Sequence, residues 1–217
     1  MRMSTLVALV QATRPRQWPK NGLVFAAFVF SLGDAWMLDD ADTWWPLFWR
    51  SCALFAAWCA ASSATYLVND VKDAEVDRVH PRKRYRPIAS GRLPIPVALV
   101  AAGVLAAAGI AGAVLLDPGP GSVIVGRGVH GRARYGCGGL KQVAIIDIFI
   151  LGAGVVGRAV SGGLAIEVEI SPWLYVCSMF GALFFATSKR WAEFRQLGEE
   201  AGRGCAGPRS RRTAWRC

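Results

Sequence analysis

The sequence predicts an all-α protein, a polytopic bundle of transmembrane helices. Hydrophobic residues make up 53% of its 217 positions against 18% charged, and the mean hydropathy is +0.33, more apolar than a soluble domain of this size. The apolar residues gather into separated runs close to the ~20 residues that cross the hydrocarbon core of a bilayer. The Lys and Arg behind the formal charge of +10 sit in short connectors between those runs. That is the positive-inside pattern, so the basic balance points to a membrane lipid environment and no nucleic-acid partner.

Taken in order, the N-terminal residues 1–21 hold a short apolar patch but no signal-peptide core followed by a small-residue cleavage site, and so read as a retained amphipathic lead-in. Residues 22–38 form the first expected span, with Trp18 and Lys20 at its near end and Asp34, Trp36, Trp44 and Trp45 at its far end, where interfacial aromatics belong. Residues 46–68 form the second, with Arg50 in its first turn, where it can snorkel, and Asn69 directly after it. The third, 95–116, follows Pro94 and is uncharged and rich in Ala and Gly, a composition that lets helices approach closely in lipid. The fourth, 143–166, contains Asp147 and Arg158. Each charge costs roughly 2.5–3.5 kcal/mol at bilayer depth, so both are expected to face the bundle interior or a wet cavity. The fifth, 171–187, ends at Lys189 and Arg190.

A further crossing between Asp117 and Lys141 makes the loop charges consistent. Arg14, Arg16, Lys20, the 69–92 loop, Lys141, Lys189 and Arg190 then face the cytoplasm, with Asp39–Asp42 and Glu167–Glu169 outside. Residues 118–139 have the length for that crossing but are rich in Gly and carry Arg127, His130, Arg132 and Arg134, so they are expected to insert poorly, as an aberrant sixth span within a membrane domain of residues 1–200. Residues 201–217 form a non-periodic tail whose composition predicts disorder. Both stretches have the Gly/Arg-rich character that out-of-frame translation of a GC-rich gene produces. The six cysteines contain no CxxC pair, and three lie in apolar runs, where a thiol behaves as a small hydrophobe; neither a disulfide framework nor a zinc site is expected.

Polar chemistry concentrates in residues 69–91, which carry three aspartates, a glutamate and six Lys/Arg between two apolar runs. Asp70, Asp73 and Asp77, at i, i+3 and i+7, fall on one stripe of a helix, with Asn69 beside them. Crowded carboxylates need a counter-cation. They suit Mg²⁺, which takes oxygen ligands and commonly bridges carboxylates to substrate phosphates, and Arg82, Lys83, Arg84 and Arg86 supply a second clamp on the same phosphates. In a soluble chain such a run would be a solvated face, but here it starts one residue after a membrane-length apolar run.

The segment NDVKDAEVDR followed by HPRKRYRPIASG resembles the first aspartate-rich motif, NDxxDxxxD, of the UbiA superfamily of intramembrane prenyltransferases; Asn69, Asp70, Asp73 and Asp77 match it position for position. RPRQWPKN at 14–21, GLK at 139–141 with Asp147 six residues on, and KRWAE at 189–193 are similar to the branch of that superfamily that transfers phosphoribosyl groups. There KRxxE replaces a second DxxxD. The resemblance implies a bundle of nine transmembrane helices around a lipid-open cavity, of which this chain supplies five clear spans and one doubtful span, so that it looks C-terminally truncated. It also implies a Mg²⁺-dependent transfer of 5-phosphoribosyl from phosphoribosyl diphosphate to decaprenyl phosphate, with release of diphosphate, toward the lipid-linked arabinose donor of cell-wall arabinan. The active site would face the cytoplasm.

On that basis Asp70, Asp73 and Asp77 are the expected catalytic residues and, with Asn69, the metal ligands. Arg82, Lys83 and Arg86 are assigned to the diphosphate, with a topology signal competing for the first two. Lys189, Arg190 and Glu193 are assigned to the donor's 5-phosphate, with a stop-transfer cluster as the competing role. Lys20 is assigned to the acceptor phosphate or to anchoring at the interface, and Lys141 to substrate or to a pair with Asp147. The competing functions are an aromatic prenyltransferase using a prenyl diphosphate, disfavoured by the absent second DxxxD, and a non-enzymatic membrane scaffold or transporter subunit.

Overall fold

The computed structural model describes residues 3–137, 144–169 and 171–204. Those residues form helices and turns, with an isolated bridge between Leu32 and Trp36 and no strand. Helix α1 (Met3–Ala12) buries Ala8 and Ala12 in a cluster with Leu67, Ile88, Leu93 and Ala98, so the lead-in lies on the body of the protein. Arg14 then adopts a left-handed backbone, φ 56°, and the chain enters a 3₁₀ segment, Pro15–Phe25, followed by a five-residue α2 (Ala26–Phe30). The expected first span, 22–38, is thus not one helix. Pro15 and Pro19 lack the amide donors of an α-ladder, and each proline biases the residue before it away from α geometry. Beyond α2 the chain turns back at Gly33, φ 90°, where Trp36 stacks on Phe28 at 4.5 Å and donates its indole N–H to the Phe28 carbonyl.

Helix α3 (Ala41–Lys72) runs 32 residues, about 48 Å at 1.5 Å per residue. Its first turn is capped by Asp40, whose carboxylate accepts the Asp42 amide at 3.2 Å. It continues past the expected end at 68 and so carries Asn69 and Asp70 in its last turn. At Asp73, ψ of 0° marks a bend before α4 (Ala74–Val79). The ladder nonetheless carries through, Asp73 N–H to the Asn69 carbonyl at 3.0 Å and Asp77 N–H to the Asp73 carbonyl at 2.8 Å, so 70, 73 and 77 keep helical spacing. Among the described residues, α3 and α5 (Ile95–Leu116) are the two helices long and apolar enough to cross a membrane.

Those two helices pack through small residues. Ala98, Ala102, Gly109 and Ala113 form the buried stripe of α5, and a Cβ at Gly109 would stand 2.8 Å from the Ala57 carbonyl oxygen and 3.0 Å from the Ala61 amide nitrogen. Van der Waals contact between backbones is what such a seam provides in lipid. Helix α6 (Pro120–Cys137) occupies most of the Gly-rich stretch from which an aberrant span was expected. The Asp117 carboxylate accepts the Gly119 and Gly121 amides, each at 2.7 Å, satisfying donors that open a helix, and fully buried Val125 joins a core with Leu54, Trp58 and Ala113.

Helix α7 (Ala144–Ala165) docks through Arg158, which is buried as expected of it. Its guanidinium lies 4.7 Å from the centre of the Trp58 ring, donates to Asn21 Oδ1 at 2.8 Å and reaches the Gly154 carbonyl. The Trp58 indole in turn donates to Ser161 Oγ at 2.9 Å. Gly162 lets the helix rest directly on the Val24 backbone, where a Cβ would overlap. Helix α8 (Pro172–Gly204) extends well beyond 187, through the KRWAE segment and into the first four residues of the expected tail. The side chain of Asp147, Lys141 and residues 205–217 lie outside the described residues.

Charges sort to opposite ends of α3. Arg50 pairs with Glu167 at 2.9 Å and donates to the Leu116 carbonyl at one end; Arg14 pairs with Asp70 and Arg92 donates to Gln11 Oε1 at the other. The seam yields a direct prediction. Gly109→Ala should destabilise the bundle by about 1–3 kcal/mol, read as a lowered Tm in detergent, while Gly103→Ala, with nothing within 4 Å of its would-be Cβ, should leave the Tm unchanged or raised.

Candidate active site at the end of α3

The last turn of α3, the bend at Asp73 and α4 present Asn69, Asp70, Asp73 and Asp77 in sequence. Asp70 and Asp77 are buried and Asp73 is half-buried. Two cations come to them from distant parts of the chain. Arg14 Nη2 donates to Asp70 Oδ1 at 2.5 Å; Arg86 Nη1 donates to Asp70 Oδ1 at 3.2 Å and to Asp77 Oδ2 at 2.6 Å. Arg86 thus ties together carboxylates seven positions apart, and it can do so because the 80–92 loop folds back until Ile88 and Leu93 pack against Leu67. Gly91, φ 76°, makes the turn that returns the chain to α5.

Arg82 and Lys83 stay exposed. Their backbone amides donate to His80 Nδ1 at 3.2 and 3.3 Å, and among the described residues neither pairs with a carboxylate. Lys20 is exposed on the 3₁₀ segment. Lys189, Arg190 and Glu193 share one stretch of α8, but their side chains, like Lys141, fall outside the described residues.

Arg14 was not assigned to the site from sequence, although it opens the RPRQWPKN segment. The signal is the charge itself, one of three cations at 14, 16 and 20 ahead of an apolar run; nothing local shows that it reaches 56 positions to Asp70. Asn21, which closes the same segment, is also buried, donating to Cys59 Sγ at 3.3 Å and accepting from Arg158. The segment is thus pinned at both ends, Trp18 adding an indole bond to Ser63 Oγ at 3.2 Å.

Whether these residues suit Mg²⁺ can be judged from their atoms. Among the described residues, no three His, Cys, Asp or Glu side chains gather as a self-sufficient metal cage. Asn69 Oδ1, however, is buried without a hydrogen-bond partner, which leaves its lone pairs open to a water or a bound ion. Asn69, Asp70, Asp73 and Asp77 offer oxygen donors alone along this stretch. That set fits an ion held by one or two carboxylates with water and phosphate oxygens completing its shell, the usual Mg²⁺ arrangement, rather than a dedicated protein cage.

Beside this polar end an apolar cavity of about 930 Å³ runs between α1, α3 and α5. Leu9, Phe55, Val97 and Val104 line it, together with Thr13, Trp18 and Ser63. Asn69, Asp70, Asp73, Asp77 and Arg86 are not among the residues that line it.

The chain is similar to proteins of known name. Over 194 residues the chain is 39% identical to a decaprenyl-phosphate phosphoribosyltransferase of Mycolicibacterium smegmatis, covering 89% of this chain and 59% of that protein. It is 40% identical over 201 residues to the protein of the same name in Mycobacterium tuberculosis, covering 92% and 64%, and 39% identical over 191 residues to that of Corynebacterium glutamicum, covering 85% and 54%. The chain thus spans between 54% and 64% of the length of these relatives. The sequence pattern of the UbiA prenyltransferase family, whose members are integral membrane proteins, matches residues 23–204. With its aspartates at a helix end, its spanning helices and this match, the chain belongs to the UbiA prenyltransferase family.

Proposed function

We propose that the chain forms the donor-binding part of an enzyme that transfers 5-phosphoribosyl from phosphoribosyl diphosphate to decaprenyl phosphate, from a site on the cytoplasmic face of the membrane. The observation that carries this is the buried oxygen set of Asn69, Asp70 and Asp77 with Arg14 and Arg86 against it, in a chain about 40% identical to proteins bearing that name. Mg²⁺, when bound, would neutralise the leaving diphosphate. Asn69, Asp70, Asp73 and Asp77 would hold that ion at the helix end, and Arg86, which bridges Asp70 and Asp77, would offer its remaining guanidinium donors to the phosphate oxygens.

In the reaction an acceptor phosphate oxygen forms a bond to ribose C1, the bond from C1 to the diphosphate oxygen breaks, and diphosphate leaves with the electron pair. No covalent intermediate with the protein is needed: positioning and electrostatic stabilisation of the departing charge supply the acceleration. Lys20, next to Trp18, meets the acceptor phosphate at the membrane surface, and the polyprenyl chain follows the apolar groove. Lys189 and Arg190 on α8 meet the donor's 5-phosphate, the group that a prenyl diphosphate lacks, with Glu193 on the same helical turn holding the two cations in place, and Lys141 meets substrate or pairs with Asp147.

The test is Mg²⁺-dependent transfer of label from phosphoribosyl diphosphate into the lipid fraction, with a prenyl diphosphate as the competing donor. Asp73→Asn should lower turnover at least about a hundredfold, because it removes a metal-facing charge without changing the side-chain shape. Preserved turnover would exclude Asp73 from the metal site. Lys189→Ala should raise the KM for phosphoribosyl diphosphate roughly tenfold to a hundredfold, the equivalent of one charge-assisted hydrogen bond of about 1.5–3 kcal/mol, with the KM for decaprenyl phosphate hardly moved. A stop-transfer role predicts altered insertion with both KM values unchanged.

A further inference from the structure

Asp70 Oδ1 accepts from two guanidiniums at once, Arg14 at 2.5 Å and Arg86 at 3.2 Å. The lone pairs engaged there are the ones a divalent cation would take, so the ion and the arginines compete for the same oxygens. Arg14 is placed to give way. Its guanidinium also lies 5.1 Å from the centre of the Tyr66 ring, within cation–π range, and it is 31% exposed where Asp70 is 4% exposed. Its backbone, φ 56° and ψ 62°, is a left-handed conformation uncommon outside glycine and held only where the surroundings enforce it. It is also the joint between α1 and the 3₁₀ segment, fixed on either side by the Ser63 Oγ bond to the Thr13 carbonyl and the Gln17 amide bond to the Arg14 carbonyl.

We propose that Arg14 is the resident counter-ion of Asp70 and a donor-positioning residue. When metal and diphosphate bind, Asp70 passes from the Arg14 guanidinium to the metal, and the freed guanidinium takes a diphosphate oxygen, for which its planar fork of donors is suited. The lead-in helix α1 is thereby coupled to occupancy of the donor site. This rests on the assignment of Asn69 and the aspartates to metal and diphosphate.

The exchange gives Arg14 opposite effects on the two ligands, which a purely structural clip does not. Mn²⁺ bound to the purified full chain in detergent, followed by electron paramagnetic resonance with and without inorganic diphosphate, reads both. Arg14→Gln should bind Mn²⁺ alone about tenfold more tightly and, with Mn²⁺ present, diphosphate about tenfold more weakly, a factor worth about 1.4 kcal/mol; Arg14→Lys should fall between. Mn²⁺ binding alone that is unchanged or weakened in Arg14→Gln overturns the exchange while leaving the metal site standing. Wild-type chain that binds no Mn²⁺ with diphosphate overturns the site assignment as well. Hydrogen exchange on the wild type needs no variant to fold: Mn²⁺ alone should speed exchange of the Arg14, Arg16 and Gln17 amides and added diphosphate should slow it again, and amides indifferent to Mn²⁺ alone would contradict the proposal.

Discussion

Two carboxylates buried at the end of a long apolar helix set the conditions that the rest of the chain meets. Taking an ion out of water costs several kcal/mol even after relaxation, and Coulomb attraction repays it only with well-placed partners. Asp70 and Asp77 find theirs in Arg14 and Arg86, neither of which is a helical neighbour. For Arg14 to arrive, α1 must lie against the α3–α5 pair, which the burial of Ala8 and Ala12 secures. For Arg86 to arrive, the 80–92 loop must fold inward, which Ile88 and Leu93 secure by entering the same cluster. The polar cluster and the apolar one beneath it therefore form together.

Further along the bundle, close approach replaces charge. Helices in lipid gain no hydrophobic driving force from meeting one another, and α3 and α5 meet through Ala57, Ala61 and Gly109 at backbone contact. Where a charge does enter that region, at Arg158, it is covered by the Trp58 face and tied to Asn21. That contact links α7, α3 and the 3₁₀ segment. The aspartate site thus sits on a helix braced from several sides, as a site that orients reacting groups within a fraction of an ångström must be.

What was legible in the sequence followed from local rules. The second and third spans appear as α3 and α5 because their apolar runs are long and uninterrupted, and the aspartate spacing survives because the helical ladder carries across Asp73. The first span was not legible: residues 22–38 are apolar enough, but the prolines just before them and the turn at Gly33 break the helix, so hydropathy saw a length that backbone chemistry does not deliver. Helix α6 is legible only as a doubtful span, for the opposite reason. Its glycines and arginines argue against a span, yet Asp117 caps it and Val125 anchors it in the core. The role of Arg14 depends on a contact across 56 positions, which no periodicity encodes. Arg86 could be anticipated because it lies nine residues from Asp77, within the same charged segment.

The central claim is that the end of α3 holds a metal-bound diphosphate. The direct measurement is anomalous scattering from crystals of the chain grown with Mn²⁺ and diphosphate. The account predicts a metal peak in coordinating contact with Asn69 Oδ1 and the Asp70 carboxylate, with diphosphate density between it and Arg86. A metal peak away from these atoms, or diphosphate seated elsewhere with the Arg86 bridge between Asp70 and Asp77 intact, would contradict it.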